Sequence, residues 1–83
     1  MPMAFDHLGV ATTDGEELAA TFETLFEASI VHEETFDGMI ARFLELDGGY
    51  FELLEPLEDG TMARYLDSHG PGIHHVALRT EDI

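Results

Sequence analysis

Alternating apolar and polar residues divide this chain into short strands separated by turn signals. The period of two predicts five strands, which are residues 5–12, 29–36, 39–46, 50–56 and 73–80. Asp-Gly pairs separate the second, third and fourth strands, and Pro56 ends the fourth. The short lengths and the turn signals between them are typical of a sheet-forming domain.

Two segments have helical periodicity instead. The first begins at Thr13 or Asp14, where Glu16 or Glu17 would close a capping box. Its predicted buried stripe consists of Leu18, Phe22, Leu25 and Phe26. The second is short, covers residues 61–68, and is followed by a Gly-Pro-Gly turn. The order β-α-β-β-β, short helix, β predicts an α+β fold.

The first and last predicted strands agree in residue type at most positions. FDHLGVATTD begins at Phe5 and IHHVALRTED begins at Ile73, an offset of 68 residues. The matched pairs are His7 with His75, Leu8 with Val76, Gly9 with Ala77, Val10 with Leu78, Thr12 with Thr80 and Asp14 with Asp82. We interpret this as an internal repeat. Residues 1–70 are then a first module, and residues 71–83 are the first strand of a second module that is incomplete here.

Composition limits the class of protein. The 83 residues suffice for one small domain, and 45% of them are hydrophobic, which is enough for a packed core. There is no cysteine, so neither a disulfide framework nor a thiolate metal site is possible. No apolar run is long enough for a transmembrane segment or a signal peptide. The sequence therefore predicts a cytoplasmic protein with no membrane partner.

The net charge excludes a further class of protein, those that bind nucleic acid. The chain has 18 Asp and Glu against three Arg and no Lys, a net charge of −15. Nucleic acid is excluded as a partner, because phosphate neutralisation requires a basic surface. Self-repulsion at this density is relieved by salt. We interpret the composition as that of a halophilic protein, with an acidic mesophilic protein as the alternative.

Three polar side chains lie inside predicted strands and share one face. His7, Glu52 and His75 each lie next to apolar strand residues that are predicted to pack against the helix. The three side chains therefore point to the opposite side of the sheet. Imidazole and carboxylate ligands together suit Zn, Fe, Co, Mn or Ni. The alternative is hydrogen-bonded or half-exposed histidines and a solvated glutamate. The repeat favours a metal site, because the same histidine recurs in both copies.

Small residues lie on the same face. Gly9, Ala11 and Ala77 would leave room there for a ligand, or would let another layer pack closely. His74 is predicted to point to the hydrophobic side as a structural residue. The remaining histidines are predicted to lie on the surface: His32 and His69.

Three segments of the chain resemble a known family. FDHLGVAT, YFELLEPL and GPGIHHVALRTEDI resemble the vicinal-oxygen-chelate (glyoxalase/bleomycin-resistance) superfamily, and within it the methylmalonyl-CoA epimerases. The sequence features that most resemble the epimerases are the run ELLEPL at 52–57 and the double histidine at 74–75. HHVALRTEDI is also similar to the catalytic half of 4-hydroxyphenylpyruvate dioxygenases. The whole chain fits, but only to the first half of such a domain.

The resemblance implies paired βαβββ modules set edge to edge around a metal cleft. It implies that His7, Glu52 and His75 bind a divalent metal ion, and that a glutamate on the last strand of the second module is the fourth ligand. A half-domain would leave an open edge strand, which is a template for pairing. We therefore expect the chain to form a homo-oligomer or to belong to a longer polypeptide, and to be inactive alone.

For an epimerase, the resemblance implies removal of the α-proton of an acyl-CoA substrate, methylmalonyl-CoA, through a metal-stabilised enolate. A third-strand glutamate that acts as a base in some members corresponds to Ala41 here. Glu45 has the same strand parity but lies about 13 Å further along, so the catalytic bases are not identified. The alternatives are a glyoxalase-I-type lyase, a metal-dependent dioxygenase, and a module that binds a small molecule without catalysis.

Overall fold

The computed structural model describes residues 3–80. Its elements are β1 (Met3–Ala11), α1 (Gly15–Phe26), β2 (Ser29–Phe36), β3 (Met39–Leu46), β4 (Gly49–Pro56), α2 (Thr61–His69) and β5 (Gly72–Thr80). These are the predicted elements in the predicted order, so the α+β fold and the βαβββ arrangement are confirmed. Asp82, the last residue of the proposed repeat, lies outside the described residues.

All five strands form one sheet in the order β2-β3-β4-β1-β5. Neighbouring strands are antiparallel except β1 and β4, which are parallel. A parallel pair requires a long crossover, which α1 and the two strands that follow it provide. β1 therefore lies between β4 and β5, and residues on these three strands become neighbours although they are far apart in the sequence.

Both tight hairpins turn on an Asp-Gly pair. Asp37 and Gly38 have φ values of 53° and 71°, and Asp47 and Gly48 have φ values of 50° and 85°. Positive φ at both central residues is the type I′ geometry, whose twist matches that of the flanking strands. The hairpins predicted from these pairs are confirmed.

The start of α1 differs in detail from the prediction. Asp14 is the N-cap, because its Oδ1 accepts a hydrogen bond from the Glu17 backbone N–H at 3.1 Å. The Asp14 backbone N–H donates to Thr12 Oγ1 at 3.1 Å. The N–H that a capping-box glutamate would use is therefore occupied, and the predicted capping box does not form.

The two core clusters lie on opposite faces of the sheet. On the α1 face, the buried residues are Ala19, Ala28, Leu44 and Leu53, flanked by Val10, Leu18, Phe22, Leu46 and Phe51. On the other face, which we call the cleft face, they are Ala11, Met39, Ala41, Leu54, Met62 and Leu66, flanked by Phe43 and Tyr65. Burying one leucine such as Leu44 contributes about 1.5–3 kcal/mol.

The predicted helix stripe is wrong at its C-terminal end. Leu18 and Phe22 pack against the sheet, but Leu25 is 68% exposed and Phe26 is 48% exposed. The ring of Phe26 packs against that of Phe22, with 5.6 Å between centroids. Helical spacing alone does not show where the sheet beneath a helix ends.

A buried arginine joins four elements on the α1 face. Arg42 on β3 is 7% exposed, and its Nη1 donates to Glu55 Oε1 at 2.7 Å while its Nε lies 3.2 Å from Glu33 Oε2. The Gly15 backbone N–H also donates to Glu55 Oε1, at 3.2 Å. Burial disfavours the charged guanidinium, but the ion pairs outweigh it and raise the pKa of Arg42.

The α1 face of β5 has no cover among residues 3–80. α1 packs over β4, β3 and β2, so Ile73, Val76 and Leu78 are exposed on the edge strand. Within that described range, no helix is long and apolar enough to cross a membrane.

Candidate metal centre

Strand register brings His7, Glu52 and His75 together on the cleft face. Gly9 of β1 pairs with Glu52 of β4 on one side and with His75 of β5 on the other. His7 lies two residues before Gly9 and therefore on the same face. One ligand atom from each of the three side chains lies within 4.8 Å of the others.

The three ligand atoms form a small triangle. The two Nε2 atoms of His7 and His75 are 3.0 Å apart. Glu52 Oε1 lies 3.4 Å from His7 Nε2 and 3.3 Å from His75 Nε2. Ligands at about 2.0–2.2 Å from one ion lie about 3.3–3.6 Å apart in tetrahedral geometry and about 2.8–3.1 Å apart in octahedral geometry. The triangle therefore has the dimensions that a single divalent metal ion requires.

The electrostatics of the triangle also suit a cation. Glu52 is 9% exposed, and a buried carboxylate is stable only when it is paired or hydrogen-bonded. If both histidines carry their proton on Nδ1, all three converging atoms are hydrogen-bond acceptors. A proton or a metal ion must then lie among them.

Each histidine is contacted through its other ring nitrogen by the residue before it. His7 Nδ1–H donates to Asp6 Oδ2 at 2.7 Å, and Arg79 Nη1 lies 3.3 Å from Asp6 Oδ1. The hydrogen bond from His7, and after it that from Arg79, lowers the pKa of the Asp6 carboxyl against the effect of burial. His74 Nδ1 lies 2.8 Å from His75 Nδ1.

The prediction that His74 points to the hydrophobic side is wrong. Its ring lies 4.6 Å from that of Tyr65, centroid to centroid, and Tyr65 belongs to the cleft-face core. The cause is a break in the pairing of β5 with β1, where Gly9 pairs with His75 but Val10 pairs with Ile73. The unpaired residue is a β-bulge, which re-aims its side chain.

The small residues do not leave room above the sheet where we predicted it. A Cβ at Gly9 would collide with the imidazole ring of His75, and Ala11 is fully buried in the core beneath α2. Both positions fit the alternative of close packing. Ala77 is half-buried and pairs with His7.

A cavity opens beside the triangle instead. It has a volume of about 330 Å³ and is lined by Asp6, His7, Val31, His32, Glu34, Phe43 and Tyr50. His32 and His69 are exposed, as predicted. The ring of His32 nevertheless packs on Phe43 at 5.7 Å, and its Nε2 lies 3.7 Å from Glu34 Oε1. This wall of the cavity was not predicted from the sequence, where its local signal is the shared parity of His32 and Glu34 on β2.

The third strand supplies no identified base to the site. Ala41 is fully buried in the core beneath α2. Glu45 is exposed and pairs with Tyr50 near the hairpin.

Comparison with known proteins gives consistent matches. A hypothetical protein from Bacillus halodurans C-125 is 28% identical with a TM-score of 0.85, over 94% of this chain and 59% of that one. The methylmalonyl-CoA epimerase of Mycobacterium tuberculosis is 29% identical with a TM-score of 0.84, over 96% of this chain and 57% of that one. A methylmalonyl-CoA epimerase in complex with methylmalonyl-CoA and NH4+ is 25% identical with a TM-score of 0.86, over 100% of this chain and 64% of that one.

The chain thus spans less than two thirds of the length of these solved structures. No curated protein matches it significantly. The sequence profile of the glyoxalase/bleomycin resistance protein/dioxygenase superfamily matches residues 6–83, which is nearly the whole sequence. The chain therefore belongs to the glyoxalase/bleomycin resistance protein/dioxygenase superfamily.

Proposed function

We propose that this chain is the first module of a metal-dependent methylmalonyl-CoA epimerase, with residues 1–70 as that module and residues 71–83 as the start of a second. The observation that carries the proposal is the triangle of two imidazole nitrogens and one carboxylate oxygen beside a cavity. The similarity to solved epimerases, one of them bound to methylmalonyl-CoA, supports the substrate.

In this proposal His7 Nε2, His75 Nε2 and Glu52 Oε1 hold a divalent ion, which we propose to be Zn, Co, Mn, Ni or Fe. When bound, the ion supplies Lewis-acid stabilisation of the negative charge that develops on the substrate's thioester oxygen. Two neutral imidazoles and one carboxylate leave the site a net positive charge, which favours an anionic substrate. Glu52 is buried, so the protein packs around one side of the site.

The cavity beside His7 is the proposed site for the acyl group of the substrate. Two of its lining residues are acidic, Asp6 and Glu34. Asp6 is engaged by His7 and Arg79, so Glu34 is the carboxylate of this module that we propose for proton transfer. His32 lies beside it, with its Nε2 3.7 Å from Glu34 Oε1.

Three ligands and one carboxylate do not complete an epimerase, which must remove a proton from one face and return it to the other. We propose that the further ligand and the opposing acid come from a second module, either in a longer polypeptide or in a second copy of the chain.

Exchange of the substrate α-proton tests the proposal directly. We expect the full polypeptide, supplied with Co2+, to exchange the α-proton of methylmalonyl-CoA in D2O, followed by NMR. We expect Glu34→Gln to slow exchange by about 100-fold or more, as for loss of a general base. Glu23→Gln, on the exposed side of α1, removes the same charge and should leave the rate unchanged.

Two other results would replace this proposal. Turnover of the glutathione hemithioacetal of methylglyoxal, without proton exchange on methylmalonyl-CoA, would identify a glyoxalase-I-type lyase. Absence of both activities, together with less than about 0.1 equivalent of transition metal where a catalytic site holds one, would identify a binding module without catalysis.

A further inference from the structure

The two strands that carry the histidines contain one β-bulge each, at equivalent places. In β1, Phe5 pairs with Leu78 and His7 with Ala77, so Asp6 is the extra residue. In β5, His75 pairs with Gly9 and Ile73 with Val10, so His74 is the extra residue. The offset between Asp6 and His74 is the same 68 residues that relate His7 to His75.

Each bulge changes what its extra residue can contact. Regular alternation would place Asp6 on the face opposite to His7, and His74 on the face opposite to His75. The bulge turns the extra side chain towards that of its neighbour, as bulges beside functional sites commonly do. Asp6 Oδ2 thus reaches His7 Nδ1 at 2.7 Å, and His74 Nδ1 reaches His75 Nδ1 at 2.8 Å.

We propose that Asp6 and His74 are positioning residues, each of which accepts a hydrogen bond from Nδ1–H of the next histidine and so turns the Nε2 lone pair of that histidine towards Glu52. The metal-binding part of this inference rests on the proposed function, whereas the protonation of Nδ1 does not.

The chemistry of the contacts supports these roles. A carboxylate can only accept a hydrogen bond, so His7 must carry its proton on Nδ1. For His75 also to carry its proton on Nδ1, His74 Nδ1 must be the acceptor, and the proton of His74 must lie on Nε2. Both inner atoms are then free to bind a cation, and the hydrogen bond on the outer nitrogen fixes the orientation of the ring.

The two partners are themselves held in place. Arg79 fixes the Asp6 carboxylate, since its Nη1 lies 3.3 Å from Asp6 Oδ1 and also donates to the carbonyl oxygen of Phe5 at 3.1 Å. The ring of Tyr65 packs edge-on against that of His74, with 4.6 Å between centroids. Asp6 acts on His7 as a charged acceptor, whereas His74 acts on His75 as a neutral one. The two histidine ligands therefore differ in the charge of the group that accepts their Nδ1–H hydrogen bond.

The test is the protonation state of Nδ1 in the metal-free protein, read from long-range 1H–15N spectra at pH 8.5. We expect both His7 and His75 to carry the Nδ1 proton in the unmodified chain. Asp6→Ala should shift His7 alone towards the Nε2–H form, and His74→Leu should shift His75 alone. Each variant is the control for the other.

Conservative variants separate a hydrogen-bonding role from a packing role. Asp6→Asn and His74→Asn keep an acceptor oxygen near the original position, and we expect them to restore Nδ1–H. In a Co2+ titration followed by d–d absorption, Asp6→Ala and His74→Leu should bind about 10–100-fold more weakly, as for loss of an outer hydrogen-bond partner. The asparagine variants should recover most of that loss.

The outcomes separate this inference from the proposed function. Nδ1 unprotonated in the unmodified chain, or unchanged in the folded alanine and leucine variants, would overturn the positioning roles. Should a variant unfold, the Nδ1 states of the unmodified chain and of the asparagine variant decide the matter. If Nδ1 responds as expected but no Co2+ binds, the positioning roles stand and the proposed metal-dependent function fails.

Discussion

Gly9 lies directly beneath the imidazole ring of His75 on the neighbouring strand. A Cβ built on Gly9 would overlap the ring, with His75 Nδ1 at 2.5 Å and Nε2 at 2.7 Å. Gly9 also pairs with Glu52 on its other side, so the absence of a side chain there allows the two ligands to meet.

Gly9→Ala should therefore displace His75 and weaken the site. We expect overpacking to destabilise the protein by about 1–3 kcal/mol, measured by urea denaturation, and Co2+ affinity to fall with it. Gly60→Ala is the matched control, because a Cβ there meets open space and its backbone φ of 172° is extended. Equal effects of the two substitutions would show that His75 does not depend on Gly9.

Metal binding should stabilise the fold through the three converging side chains. A ligand present at 100 times its Kd stabilises by about 2.7 kcal/mol, which should appear as a rise in Tm on addition of Co2+ or Zn2+. His7→Ala, Glu52→Ala and His75→Ala should each abolish that rise. His69→Ala, an exposed histidine that contacts Tyr65 on α2, should retain it. A full rise in any of the three site variants would remove that residue from the ligand set.

The buried arginine should be necessary for stability. Arg42→Met leaves Glu55 without its 2.7 Å partner and removes the charge that joins β2, β3, β4 and the start of α1. We expect a loss of about 3 kcal/mol in the free energy of unfolding, the usual result of breaking a buried pair. Arg64→Met makes the same change in net charge at an exposed position of α2 and should cost less than about 0.5 kcal/mol. Similar losses in both variants would indicate a general charge effect.

Salt should stabilise this protein if it is halophilic, as its composition suggests. With a net charge of −15, self-repulsion opposes the compact state, and the Debye length falls to about 3 Å at 1 M salt. We expect Tm to rise steadily between about 0.1 and 2 M KCl as this repulsion is screened. A Tm that is flat or falls over this range would contradict the halophilic interpretation.

The open edge of the sheet should cause association. β5 pairs only with β1 among the described residues, and its exposed α1 face includes Val76 and Leu78, at 59% and 57% exposure. We expect light scattering of the 83-residue chain at high salt to give a dimer or larger species. Replacing Val76 and Leu78 with Glu should reduce it to a monomer. Leu57→Glu, on an exposed loop residue, should not. A monomeric unmodified chain would refute the expected oligomer.

The sequence by itself determined the elements, the hairpins and the face on which His7, Glu52 and His75 lie. These features follow from local rules, since strand alternation and Asp-Gly turns depend on residues close together in the chain. The repeat added the correspondence between two distant strands.

Only the tertiary structure decided the rest, because it depends on which strands pair and in which register. The bulge at His74 reverses the local alternation, so its side chain lies on the face opposite to the one predicted. The pairing of β1 with both β4 and β5 sets the 3.0–3.4 Å distances among the three ligand atoms. The burial of Arg42 and the cavity beside His7 arise from side chains that packing brings together across several strands, and no spacing along the chain encodes those contacts.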